Sequence, residues 1–189
     1  RQEVRWAVAR LELTMNRVGK FLIARPQMDQ GFFARSVVFI YEDSANGTAG
    51  LTINKTTAGD FADVALDRGH HYERGITPIY SGGPVNSRAI TMLHTDEWHS
   101  ENSLYTGTGL DLSSDNLMIY KLIDGNTPKQ FRLLAGAAVW APGQLNTEIE
   151  RGSWLVSNLP INAVFHSSGD QQWEKCIELA GQEFVASWF

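Results

Sequence analysis

The feature that most constrains this 189-residue chain is the stretch Phe21–Asn54, FLIARPQMDQGFFARSVVFIYEDSANGTAGLTIN. Ser36 to Tyr41 is an almost unbroken run of β-branched and aromatic residues. It is too short for an ordinary helix and too apolar for a strand with one wet face, so it predicts a strand buried on both sides. Asn46-Gly47 supplies residues that tolerate positive φ, and Thr48–Ile53 returns as a second strand, with Gly50 marking a bulge or a close backbone approach. Phe21–Ala24 is another short apolar run that Pro26 stops, since proline cannot donate to a ladder. Val38 and Ile40 are therefore expected in the core of a central sheet.

The remaining pattern is irregular. A helix capped by Asp60 is expected to carry Phe61, Val64 and Ala65, and Ile76–Tyr80 and Ala89–Leu93 read as strands. Leu104–Leu112 reads as one or two short strands around Gly107 and Gly109, followed by a helix over Asn116–Ile123 capped by Ser114 or Asp115. Gln130–Val139 is long and apolar enough for the centre of a sheet. Pro142 fits the first turn of a helix bearing Leu145, Glu148 and Ile149. Trp154–Val156 is a further strand. Trp173, Cys176, Ile177 and Ala180 repeat at helical spacing, with Asp170 as the expected cap. Val4, Val8, Leu11 and Met15 give residues 1–17 a helical stripe, an N-terminal extension of a single 1–189 domain. Short strands with helices inserted irregularly indicate an α+β class.

Sixteen Lys and Arg against 21 Asp and Glu give a net charge of −5, which argues against direct DNA binding, as does the lack of a recognition-helix pattern. Cys176 is the sole cysteine, so no internal disulfide forms and a reducing compartment suits the chain. No apolar run reaches membrane-span length, and the expectation is a cytoplasmic protein without a membrane partner.

Specific residues also carry a family likeness. GKFLIARPQMD, FARSVVFIYED, Gly82-Gly83-Pro84-Val85, Leu93-His94, Trp140 with Pro142-Gly143-Gln144-Leu145, Glu148-Ile149, Trp154 and Phe165 resemble, in order, the YqgE/AlgH family of small bacterial proteins. The likeness spans about Val18 to Gly181. The family's glutamate-histidine pair is Glu42-Asp43 here, and its glycine-tyrosine-alanine-glycine-tryptophan run is Gly136-Ala137-Ala138-Val139-Trp140. The resemblance implies a bent, bifurcated, mostly antiparallel sheet curled into a pseudo-barrel and flanked by helices. It also implies an association with transcriptional regulation.

Chemistry is less legible. His70-His71 and the His94/His99 pair lack the spacing of a metal site, and no cofactor is expected. No Gly-x-Ser-x-Gly elbow exists, Cys176 lies on an apolar helix face, and Thr106–Gly109 lacks the glycines of a nucleotide loop. No catalytic residue is assigned.

The candidate ligand site gathers strand-end loops. Gly82 and Gly83 would expose backbone N–H groups presented by Pro84, and the helix beginning near Pro142 would add its positive end beside Gly143. Arg25 or Arg35 would supply a forked donor, Trp140 an apolar wall, and Gln144 an orienting amide; Glu148 would be a general base in a catalytic version. The same glycines and prolines could instead only shape turns, with Trp140 in the core. The favoured function is a nonenzymatic binding or regulatory protein acting through a small anionic ligand or a protein partner. The alternatives are a hydrolase using the strand-end loops and a structural interaction module.

Overall fold

A computed structural model describes residues 16–186. The amphipathic stripe expected over residues 1–17 falls, up to residue 15, outside the described residues.

The stretch Phe21–Asn54 forms β1 (Phe21–Ala24), β2 (Val37–Ser44) and β3 (Gly47–Thr52), an antiparallel meander. Val38 and Ile40 are fully buried. The run is buried on both faces as its composition requires: Val37 and Phe39 join one apolar layer, Val38 and Ile40 another. The turn closes one residue earlier than expected, with Ser44 paired to Gly47. Gly47 has the expected positive φ, 129°, and in addition a Cβ there would lie 2.5 Å from the Trp140 carbonyl oxygen. The register shifts between Ile40 and Glu42, so Tyr41 is the extra residue of a β-bulge.

Next come β4 (Thr56–Asp60), α1 (Phe61–Asp67) and β5 (Pro78–Ser81). The α1 cap is the expected one, Asp60 Oδ1 accepting from the Ala62 amide at 2.8 Å. They are followed by β6 (Val85–Thr95), β7 (Leu104–Tyr105), β8 (Leu110–Ser113), α2 (Asn116–Ile123) and β9 (Phe131–Trp140). Asp115 caps α2. The chain continues through α3 (Gln144–Glu150), β10 (Trp154–Ser157), α4 (Asn162–Phe165) and α5 (Gly169–Ala186). Pro142 does not open a helix: Gly143, in the left-handed region, is the N-cap and α3 starts at Gln144. The strand β4 and the one-turn α4 had no clear sequence signal.

The sheet is mostly antiparallel, with order β10-β1-β2-β3-β9-β6-β8-β7 and a branch through β5 and β4. β9 is the trunk of the fork. Its residues 133–135 pair with both β5 and β6, which must therefore lie on opposite edges, and residues 138–140 pair with β3. The link from β5 to β6 has to pass over β9, and it does so at Gly82-Gly83. A Cβ on Gly83 would stand 2.1 Å from the Ala137 carbonyl carbon, and one on Gly136 2.3 Å from the Gly83 oxygen. Only glycines permit this crossing.

The sheet bends strongly but does not close into a barrel: β10 and β7 end the ladder unpaired to each other. Trp140 and Trp154, from strands four places apart, bring their ring centroids to 6.0 Å. The β7–β8 turn folds back so far that a Cβ on Gly19 would meet Thr108 Cγ2 at 2.3 Å. Helix α5 covers the layer of Phe21, Phe39, Leu93 and Leu112 with Trp173, Cys176 and Ala180. Burial pushes the Cys176 thiol up to about 11, as suits an inert core residue. Arg132 of β9 ties α4 and α5 to the sheet, donating to the Ile53, Phe165 and Ser167 carbonyls and to Gln172 Oε1, with Tyr80 stacked on it at 4.2 Å.

Candidate functional site

The residues singled out by sequence separate into three places. Trp140, Gly143, Gln144 and Glu148 come together where β9 runs into α3. Glu148 Oε2 accepts the indole N–H groups of Trp140 (2.9 Å) and Trp154 (2.8 Å), and Oε1 accepts from Gln144 Nε2 at 3.0 Å. Gln144 Oε1 in turn accepts the Ala141 amide. Phe33 stacks on Trp140 at 5.8 Å and meets Trp154 edge-on at 5.6 Å. Trp140 and Trp154 are buried, and the wall they form faces the core beside Leu22, Ile40 and Leu145. Each side-chain polar group of this knot is engaged by another.

Gly82, Gly83 and Pro84 sit at the crossing over β9. The Gly82 amide donates to the Ala135 carbonyl, and both glycines are buried. Pro84 edges a wide hollow with Asn86, Ser87, Arg88 and Ala89. All five are neighbours in one exposed bulged segment, so no second element closes over that hollow.

Arg25 and Arg35 lie near the ends of β1 and β2 but face different partners. Arg35, in the left-handed region at φ 52°, pairs with Asp170 at 2.6 Å and stands 5.7 Å from the Trp173 ring on the α5 side. The Arg25 amide donates to Ser153, and its Nε is buried without a partner.

A different set of residues meets in a cavity of about 320 Å³, lined by Tyr41, Glu42, Thr91, Asn102, Leu104, Leu112 and Ser114. It lies between β2 and the β6–β7–β8 wing, which the bend of the sheet brings together. The bulge at Tyr41 is what gives the cavity two consecutive side chains. In regular β structure neighbours point to opposite faces, whereas the extra residue lets both Tyr41 and Glu42 line one space. Burial, then the neighbouring Glu42 charge, push the Tyr41 phenol above its ordinary value, so it stays neutral. Among the described residues, the side-chain polar atoms of Tyr41, Glu42, Thr91, Asn102 and Ser114 make no hydrogen bond to protein.

The wall of this cavity is firmly held. Asp115 accepts from Ser100 Oγ at 2.5 Å, the Asn102 amide at 3.0 Å and the Met118 amide at 2.9 Å. Burial alone would raise the Asp115 carboxyl, but these bonds hold it below the usual carboxylate range. Behind it, buried His94 directs Nδ1 at the Thr95 carbonyl and Nε2 at Ser113 Oγ, both at 2.9 Å, and Ser113 Oγ meets Ser103 Oγ at 2.7 Å. The carbonyl can only accept, so Nδ1 carries the proton and Nε2 accepts from Ser113. Burial lowers the His94 pKa and keeps the ring neutral. Among the described residues, no three His, Cys, Asp or Glu are grouped to hold a metal ion. None of their helices is long and apolar enough to cross a membrane.

Sequence reasoning missed this cavity because its lining comes from four separate strands and the loops beside them. The one available signal was Tyr41-Glu42 at the point where an apolar strand turns polar opposite Gly50.

Comparison with known proteins agrees with the fold. The model of a family described as AlgH-like matches residues 21–185. A UPF0301 protein of Methylococcus capsulatus is 34% identical over 166 residues, covering 86% of this chain and 91% of that protein. Another UPF0301 protein, from a Marinomonas strain, is 32% identical over 164 residues, covering 85% and 87%. The solution structure of the AlgH protein from Pseudomonas aeruginosa superposes with a TM-score of 0.74 at 26% identity, over 86% of this chain and 88% of that one. A Corynebacterium diphtheriae crystal structure does so with a TM-score of 0.68 at 28% identity, over 88% and 91%. With its glycine crossing, forked sheet and matched length, this chain belongs to the AlgH-like family.

Proposed function

We propose that this is a nonenzymatic cytoplasmic binding protein that acts through a small ligand, with the cavity between β2 and the β6–β7–β8 wing as its ligand site. The carrying observation is the convergence of five unpaired polar side chains and two leucines on one 320 Å³ space. Small-molecule sites are concave, largely apolar spaces of about 300–1,000 Å³ with a few convergent polar groups, and here the polar groups on the wall are solvent-accessible and, among the described residues, not committed to protein partners. His94, behind this wall, has both ring nitrogens engaged within the core, which takes it out of play as a catalytic base and favours binding over hydrolysis. A regulatory output, as the family association implies, would pass to a protein partner through the edge strand β7 once a ligand is bound beside it.

The test is to purify the protein from its native cells, denature it, and identify released small molecules by mass spectrometry beside Leu104→Trp. Leu104 is half exposed at the mouth, so the larger ring fills the cavity without touching the core. A defined compound released from the parent and missing from the variant is expected. Equal release from both would refute this site.

A further inference from the structure

We propose that the cavity takes a small organic cation, an amine on a compact apolar body, with the ammonium at Glu42 and Tyr41 and the body on Leu104 and Leu112. This rests on reading the cavity as the ligand site and adds the class of ligand.

Charge decides the class. Glu42 is the one formally charged residue of the lining, and no Lys or Arg contributes to it. An anion would meet a carboxylate with nothing to offset it, whereas an ammonium gains a charge-assisted hydrogen bond. The Glu42 carboxylate has no partner among the described residues, in contrast to Asp43 next to it, which holds Arg17 at 2.9 Å and Thr48 at 2.8 Å. Adjacent carboxylates thus have opposite fates: one is a structural ion pair, the other is left free at a cavity.

The remaining lining suits the same ligand. The neutral Tyr41 ring offers a negative π-face to a cation. The hydroxyls of Thr91 and Ser114 and the Asn102 amide oxygen can accept further N–H bonds, while Leu104 and Leu112 provide apolar surface. Pre-organisation is built in, because the triple hold of Asp115 on Ser100, Asn102 and Met118 fixes the wall before a ligand arrives.

The experiment is an NMR titration of the isotope-labelled protein with three matched probes: phenethylammonium, 3-phenylpropionate and 3-phenylpropanol. The readouts are the methyl signals of Leu104 and Leu112 and the side-chain amide of Asn102. The amine should shift all three, the carboxylate none, and Glu42→Gln should weaken the amine roughly tenfold while leaving the alcohol unchanged. Glu42 is exposed, so this variant keeps the fold, and an unchanged spectrum elsewhere verifies that. If the carboxylate binds at these methyls as well as the amine, or Glu42→Gln leaves the amine unaffected, the cation assignment is overturned while the site stands. If no probe moves these signals, the site reading falls with it.

Discussion

Two regions of this molecule contain the same kinds of residue in opposite condition. At the junction of β9 and α3, an aromatic wall, a glutamine and a glutamate are closed on one another: Glu148 accepts three N–H donors and Gln144 uses both ends of its amide. Between β2 and the β6–β7–β8 wing, a tyrosine, an asparagine, two hydroxyls and a glutamate face a cavity with no protein partner. Residue type does not separate scaffold from site here. The state of the hydrogen bonds does: the Glu148 carboxylate is taken up by protein donors, whereas the exposed Glu42 carboxylate, unpaired among the described residues, meets solvent and can exchange it for a ligand.

The largest effect should come from breaking the crossing that joins the two regions. Gly83→Ala places a Cβ against the Ala137 backbone, which cannot move without disrupting β9. A loss of at least about 3 kcal/mol in urea denaturation is expected, beyond ordinary overpacking. An unchanged midpoint would mean that β5 and β6 are joined another way.

Next in size is the contrast of the two glutamates. Glu148→Leu leaves two indole N–H groups without an acceptor and should cost roughly 3 kcal/mol. Glu42→Gln removes no bond to protein and should stay within about 0.5 kcal/mol. Denaturation midpoints check both, and equal costs would erase the distinction between the regions.

Acid should act on the fold through two paired aspartates, Asp43 and Asp115. Burial opposes ionisation of Asp43, but Arg17 and Thr48 overcome it, and Asp115 is lowered by its three hydrogen bonds in the same way. A folded-state pKa below the unfolded one means that this stability is present above the ordinary aspartate value of about 3.9 and is lost as pH falls below it through the folded values. Asp115→Asn should therefore flatten the loss of stability below about pH 4, read by tryptophan fluorescence. A variant with the parent's acid profile would show that the Asp115 hold is weak.

A small effect is also expected of Arg25→Met. Its Nε is buried without a partner, so removing it takes away a cost as well as a side chain. A midpoint within about 1 kcal/mol of the parent is expected, and a larger loss would reveal a partner for the guanidinium.

Sequence showed what local chemistry controls. The run from Ser36 to Tyr41 could only be a doubly buried strand, Asp60 and Asp115 are caps set by their own neighbours, and β9 announced its central place by length and apolarity. What depended on distant residues stayed hidden. The meaning of Gly82-Gly83 is set by Gly136, more than fifty residues on, and that of Glu148 by Trp154 across the bend of the sheet. Trp140, Gln144 and Glu148 were visible as a group, since they follow one another through a strand end and a helix turn. That they satisfy one another is a tertiary fact. Tyr41 and Glu42 looked like an ordinary strand end because a bulge depends on the partner strand's register.

The claim that unpaired polar groups, and not aromatic-rich loops, mark the working surface is tested most directly by soaking crystals of the protein with a fragment library of mixed charge. The account predicts density in the cavity against Tyr41, Asn102 and Leu112, with the β9–α3 junction and the Gly82–Pro84 crossing empty. Fragments clustered at Trp140, Gln144 and Glu148, with the cavity bare, would contradict it.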